Sequence, residues 1–502
     1  MTVANTKQAR ASRAPGIDHE LHHQRRWLVL GVVAVAQLMV VLDATIVNIA
    51  LPSAQRALGF ADTDRQWIVT SYALAFGSLL LLGGKIGDLF GRKNAFITGL
   101  VGFALASALG GAAQSFGVLV GARVLQGVFG ALLAPAALST LATTFTDPRE
   151  RSKAFGVFGA VAGGGSAVGL VLGGLLTELL SWRWCLYVNL FFAAAAVVGA
   201  VLLLQGGKAQ QRPHLDIPGT LLASTGLFCL VFGFSHASTS GWGDPLTEGI
   251  LAAGAVLLVA FVLVQQRVAS PLLPLRVVLD RVRGTCYLAV GLSAIAIFGV
   301  FLFLTFYLQQ VKGFSPIVNG VSFLPLTACI VTASTSANIL LLPRTGPRPL
   351  VAGGMVLGAV GMFLLARLTP GSGYAVNVLP SLLVLGLGFG LIFAPAISSA
   401  TLGVAPRDAG VASAMVNTMQ QVGGSIGTAL LSTVAASTAA SFARSHRGVG
   451  VAARAAVHGY TVAFSISGSI FVGGAILTAV LLPSGVLANP VAPAQGREGA
   501  AT

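Results

Sequence analysis

Charge is what this sequence has least of. Asp, Glu, Lys and Arg make up 9% of its 502 residues, where a soluble domain carries about 25%. Hydrophobic residues reach 55% and the mean hydropathy is +0.85, which excludes a water-facing globular protein. Cysteine is sparse as well. Cys185, Cys229, Cys286 and Cys329 stand singly in apolar segments, and with no metal or redox spacing between any two they read as buried thiols. The histidines, His19, His22, His23, His214, His236, His446 and His458, fall outside the apolar segments and form no metal or catalytic constellation. No cofactor, no metal and no enzymatic activity is expected: a membrane enzyme needs acids or histidines gathered in sizeable loops, and these loops are short. The segment before Trp27 lacks the short apolar core and cleavage site of a removable signal.

What is present is long hydrophobic runs. They fall near residues 27–51, 66–86, 95–114, 117–143, 154–178, 184–205, 217–235, 246–266, 284–310, 316–341, 348–367, 375–402, 409–436 and 460–482. Each can cross a hydrocarbon core of about 30 Å. Irregular backbone cannot face lipid, and a barrel would show short alternating strands. The expectation is an all-α polytopic membrane protein with fourteen transmembrane helices. The net charge of +15 invites a nucleic-acid partner, which we reject because the basic residues follow the membrane. With the N-terminus inside, Lys and Arg number twenty-one on the cytoplasmic side and eight on the other. That bias places both termini in the cytoplasm and the chain in the cytoplasmic membrane. Arg444, Arg447 and Arg454 in the last outer loop (437–459) run against the trend.

The chain repeats itself. GALLAPA (130–136) and GLIFAPA (390–396) match glycine to glycine and proline to proline at an offset of 260, and Pro148-Arg149 and Pro406-Arg407 follow them. Repeated halves with a binding site between them are common among secondary transporters. The offset covers eight helices and not six, so a two-helix insert between six-helix halves is expected. The boundaries are a tail at 1–26, a six-helix bundle at 27–205, a linker with two inserted helices at 206–283, a second bundle at 284–482 and a tail at 483–502.

Two charges lie deep in these runs. Asp43 sits in LDATIVNIALP (42–52), inside the run from Trp27 to Leu51, and Arg123 sits inside the fourth run. An acid at the bilayer centre costs about 2.5–3.5 kcal/mol or more, and is a functional candidate by default. It is kept most cheaply by taking up and losing a proton. Counted from the outer ends, at a helical rise of about 1.5 Å per residue, Asp43 and Arg123 lie at nearly one depth. An interaction is expected, directly or through water or Gln126. A static pair that fixes packing is the alternative.

These motifs resemble those of the major facilitator superfamily, and within it the fourteen-helix drug:proton antiporters. The resemblance covers nearly the whole chain. It rests on LDATIVNIALP, on GKIGDLFGRK (84–93), on RVLQG (123–127), on the helix-5 glycines Gly156, Gly165, Gly169, Gly173 and Gly174, and on WRW (182–184) with Asn189. Three positions depart from the pattern: Leu170 stands where proline is usual, Phe129 where glycine is usual, and Phe191 where proline is usual. The resemblance implies a major facilitator fold of 6 + 2 + 6 helices. It implies proton coupling at Asp43, Arg123 and Gln126, and a conformational latch at Gly84, Asp88, Gly91, Arg92 and Lys93. Physically, the three glycines of that loop allow a tight turn, and Asp88 stands among Lys85, Arg92 and Lys93, poised for charge-assisted bonds.

The implied function is proton-driven export of drug-like or antibiotic molecules, conferring resistance. The alternative is export of an endogenous metabolite such as an amino acid, siderophore or lipid precursor. The second half has no charge deep in a span, which favours a monovalent cation or a neutral amphiphile as cargo. Protons and the lipid bilayer are the other partners, and the chain is expected to work as a monomer. Phe298, Phe301, Phe303, Phe306 and Tyr307 crowd the ninth run. Packing or lipid contact is their first reading and an aromatic drug pocket the second.

Overall fold

The structure is a computed structural model that describes residues 15–61, 64–145, 148–204, 216–268, 271, 273, 275–402, 404, 409–448 and 450–485. The described residues are helical and contain no strand. The helices are α1 (Pro15–Leu58), α2 (Arg65–Phe90), α3 (Arg92–Gly111), α4 (Phe116–Thr144), α5 (Pro148–Leu179), α6 (Trp184–Leu203), α7 (Ile217–Ser240), α8 (Pro245–Gln265) and the short α9 (Leu275–Val278). They continue with α10 (Arg281–Phe306), α11 (Pro316–Ser322), α12 (Leu324–Ser336), α13 (Leu342–Thr345), α14 (Pro347–Leu365), α15 (Leu379–Thr401), α16 (Ala409–Ser445) and α17 (Val451–Leu481). Wider π turns extend α10 to Val311, join α12 to α13, and lead into α15. Among the described residues, twelve helical stretches are long and apolar enough to cross a membrane. Two further helices, α2 with 26 residues and α5 with 32, pack among them.

Helix ends follow local chemistry. Ser115, Asp216, Asp244, Asp280 and Ser315 each accept a hydrogen bond from a backbone N–H of the first turn of the helix they open, which satisfies donors that a helix start leaves orphaned. Gly91 between α2 and α3 has φ of 89°, and Gly346 between α13 and α14 has φ of 75°. Only glycine takes such angles without strain, so both tight turns are written in the sequence.

The packing repeats as the sequence does. In the first part α4 lies against α2 and α3, α1 against α5 and α6, and α3 against α6. In the second, α15 lies against α12 and α14, α10 against α16 and α17, and α14 against α17. Contacts between the two sets are also paired: α5 meets α11, and α16 meets α2. Helix α7 packs on α8 and on the seam between α2 and α16. Small residues set these distances. A Cβ on Gly173 would lie 2.9 Å from Ile46 Cγ1, and one on Gly174 would lie 2.6 Å from the Pro316 carbonyl, so α5 is clasped between α1 and α11.

The departures from the family pattern are absorbed in the packing. Leu170 is fully buried, and α5 runs through it as one helix; a Cβ on Gly320 would run into its carbonyl. The Phe129 ring occupies the space over Gly102, which has no side chain to oppose it. Phe191 points outward and is 64% exposed.

Gly173→Leu is expected to overpack the α1–α5 contact and cost about 1–3 kcal/mol. The same change at Gly353, which has nothing within 4 Å of the added carbon, should cost far less. Thermal unfolding of the two purified variants makes the comparison. An equal melting temperature would contradict the clasp.

Candidate functional site

The polar centre of the first helix set is built around Asp43, which is fully buried. Arg123 of α4, 2% exposed, donates from Nη1 to Asp43 Oδ2 at 2.5 Å. The same nitrogen donates to Gln126 Oε1 at 2.8 Å, and Nε donates to the Ile68 carbonyl of α2 at 3.0 Å. The guanidinium carbon lies 4.4 Å from the centre of the Tyr72 ring, a distance suited to a cation–π contact. Gln126 is three residues on from Arg123, so the two share one face of α4. Its Nε2 donates to Asp43 Oδ1 at 2.8 Å and to Ser107 Oγ of α3 at 2.7 Å. Asn189 of α6 donates from Nδ2 to Asp43 Oδ1 at 2.8 Å and to Ser107 Oγ at 3.3 Å. Gln126, Asn189 and Ser107 are all fully buried.

Close helix contacts make this convergence possible. A Cβ on Gly127 would lie 2.5 Å from the Tyr72 carbonyl, so α2 can press against α4 and place Ile68 and Tyr72 over Arg123. On the other flank, Gly165 meets Leu38 and Val41, and Gly169 meets Leu42 and Thr45, which holds α5 along the stretch of α1 that carries Asp43. Along α1 the two main apolar clusters meet at this acid: one ends at Met39 and the other begins at Ile46. Removing an ion from water costs several kcal/mol even in a real protein interior. Asp43 receives three N–H donors in return, so the pair is tolerated and is not a source of stability. A crevice of about 10 Å³, lined by Val47, Ala54, Ile68, Trp182 and Leu186 among others, ends at Arg123. It has room for about one water molecule. Arg123 therefore stands between that crevice and the carboxylate.

The residues singled out in the sequence are distributed as follows. Asp43, Arg123 and Gln126 are together and bonded directly. Gly165, Gly169, Gly173 and Gly174 line α5 against α1 and α11. Gly84 lies under Pro135 of α4, and Gly91 forms the α2–α3 turn. Arg92 is exposed. Lys93 reaches α6: its Nζ donates to the Val201 and Leu204 carbonyls and closes the end of that helix. The side chains of Lys85, Asp88 and Phe298, and the surroundings of Gly156, lie outside the described residues. Phe301 packs on Phe323, and Phe303 on Tyr460 and Phe464. Phe303 and Phe306 also line a cavity of about 160 Å³ with Arg65 and Tyr460. The aromatic residues of α10 thus pack the core and wall a small cavity.

Sequence reasoning gave no role to Asn189 and passed over Ser107 and Tyr72. The signal for the first two was depth. Ser107 lies one turn before the end of α3, Arg123 two turns after the start of α4, and Asn189 between one and two turns after the start of α6, all measured from the same face. Tyr72 carries no such signal, since a tyrosine in an apolar run reads as packing.

Residues 33–428 match the Major Facilitator Superfamily. The chain is 52% identical over 464 residues to the puromycin resistance protein pur8 of Streptomyces alboniger, covering 92% of each chain. It is 38% identical over 405 residues to the cephamycin export protein CmcT of Amycolatopsis lactamdurans, covering 80% of this chain and 83% of that one. Among solved structures it is similar to the human organic anion transporter MFSD10, with a TM-score of 0.61 at 17% identity over 90% of this chain and 99% of that one.

Breaking the buried pair from one side should be costly. Arg123→Leu leaves an unpaired buried carboxylate and is expected to lose about 3–5 kcal/mol of stability near neutral pH. Adding Asp43→Leu should restore much of it, because no charge is then left buried without a partner. Unfolding of the single and double variants tests this; a double variant no better than the single would contradict the pairing.

Proposed function

This chain belongs to the major facilitator superfamily, and from that premise we propose that it is a proton-driven exporter of antibiotic-type molecules. It is a multi-pass membrane transporter and not an enzyme. The observation that carries the coupling is the Asp43–Arg123 pair. Among the described residues these are the only buried charges away from a helix end. A carboxylate in that place has one inexpensive transition open to it, which is to gain and lose a proton.

Protonation acts on Arg123 directly. It cancels the charge that holds the guanidinium at Oδ2 and weakens the pull on Gln126 and Asn189. Asp43 is carried on α1, and α1 is tied across to the second helix set where Gln309 Nε2 donates to the Ile49 carbonyl at 3.2 Å. Ile49 is six residues from Asp43, about 9 Å along the helix. A change in how α1 sits against α4 and α6 therefore reaches the contact between the two sets. Cargo leaves toward one face while a proton enters from it, and the cycle is antiport.

The remaining architecture follows the same reading. Helices α2 and α5 complete fourteen spans, with α7 and α8 as a pair inserted between two six-helix bundles; the repeated packing of the two sets supports this. Both termini face the cytoplasm, and the working unit is a monomer in the cytoplasmic membrane. Gly84, Asp88, Gly91, Arg92 and Lys93 latch the cytoplasmic end. With no second deep acid, the cargo is a monovalent cation or a neutral amphiphile. The chain's resemblance over its length to a puromycin resistance protein makes puromycin the first compound to test.

A pump-deficient bacterium carrying the chain is expected to tolerate severalfold more puromycin than the empty strain, and an uncoupler should abolish the efflux. Asp43→Asn keeps the shape of the side chain and should return resistance to the background at equal membrane abundance. Uphill, uncoupler-sensitive export by Asp43→Asn would place the coupling elsewhere.

A further inference from the structure

We infer that Asn189 is the group that changes partner when Asp43 takes up its proton: its side-chain amide turns over, so that an N–H donor to the carboxylate becomes a carbonyl acceptor for the carboxylic acid. The inference rests on the reading of Asp43 as the proton carrier and deepens it to named atoms.

A neutral acid needs something a carboxylate does not, namely an acceptor for its O–H. In this site every group facing Asp43 is a donor. Arg123 Nη1 faces Oδ2, and Gln126 Nε2 and Asn189 Nδ2 face Oδ1. Guanidinium has no acceptor at all, so a proton on Oδ2 would point at a cation. The proton therefore belongs on Oδ1, and one of two amides must supply the acceptor.

Gln126 is locked. Its Oε1 accepts from Arg123 Nη1 at 2.8 Å while its Nε2 serves Asp43 and Ser107. Turning it would set its NH₂ against the guanidinium and lose both ends. Asn189 is different. Its Nδ2 makes both of its bonds, and its Oδ1 is buried with no partner. An amide's two ends are nearly the same shape. When the amide turns over, Oδ1 takes the place now held by Nδ2, which is 2.8 Å from Asp43 Oδ1 and 3.3 Å from Ser107 Oγ. It then accepts the new O–H of Asp43 and the hydroxyl of Ser107, while Ser107 still accepts from Gln126. One amide end is orphaned before the turn and one after, so the number of lost partners is unchanged. Burying a polar atom without a partner is costly, and a matched orphan in each state makes the two orientations comparable. The proton comes from water and returns to it; no other bond is made or broken.

The other titratable and charged groups around Asp43 are few. Tyr72 of α2 stacks under Arg123, and Cys185 of α6 lies one turn before Asn189, with Thr177 of α5 beside its thiol. The hydroxyls of Thr45 and Ser107 and the amide of Gln126 do not titrate. The Tyr72 hydroxyl is buried without a partner, and neither it nor the others is hydrogen-bonded to Asp43 Oδ1 except Gln126, which is locked, whereas Asn189 is bonded there and free to turn.

Infrared difference spectra of the whole protein in lipid vesicles, taken between high and low pH, test this. A carboxylic-acid C=O band that grows at low pH and is lost in Asp43→Asn reports the proton on Asp43. If that band survives in Asp43→Asn, the proton-carrier reading fails, whatever Asn189 does. Given the band, Asn189→Leu should move it to higher frequency, because the acid loses its acceptor. It should leave the pH of half-formation nearly in place, because the charged form loses a donor as well. Were Asn189 a fixed donor, the band would stay where it is and half-formation would move to higher pH; that result overturns the inference. Should Asn189→Leu fail to fold, the unaltered protein labelled with ¹³C on asparagine side chains gives the same answer. An asparagine amide band should shift together with the acid band and stop shifting in Asp43→Asn. An amide band indifferent to pH would overturn the inference equally.

Discussion

Everything in the polar centre follows from one constraint: a carboxylate removed from water must find N–H donors or lose its charge. Asp43 finds three, one from a guanidinium and two from amides, brought by α4 and α6. The satisfied state is therefore the ionised one. Protonation does not merely discharge the site; it weakens the hold of all three donors and adds an O–H that needs an acceptor of its own. The observed arrangement suits the ionised acid, and a neutral one asks for a rearrangement.

The second constraint is distance. Polar groups from five helices meet only if the helices approach closely, and close approach needs small residues. Gly127 lets α2 press on α4, and Gly165, Gly169 and Gly173 let α5 press on α1. The same clasp continues to the second helix set through Gly174 and Ile317. Stability here lives in packing between helices, and the charged centre is held by that packing.

Much of this was legible in the sequence. Two deep charges at one depth announced their own contact, because position along a membrane helix converts directly into height. The matched GALLAPA and GLIFAPA segments announced paired halves, and Pro135 and Pro395 do lie inside α4 and α15. Asn189 and Ser107 were harder to read, since neutral polar residues are common near helix ends and carry no charge to mark them. The partners of Lys93 on α6 were not legible either, since its long side chain reaches across to carbonyls more than a hundred residues away. Reach of that kind is set by which helix lies alongside, and no local pattern encodes it. The aromatic residues of α10 show the same limit: their spacing is helical, but whether they pack or line a space depends on helices far along the chain.

The central claim is that Asp43 moves protons against cargo. The purified chain in sealed vesicles with a trapped pH indicator addresses it directly. On adding puromycin to vesicles held at equal pH inside and out, proton movement opposite to the cargo should follow and should vanish in Asp43→Asn. Cargo movement with no accompanying proton flux in the unaltered protein, or undiminished flux in Asp43→Asn, would contradict the account.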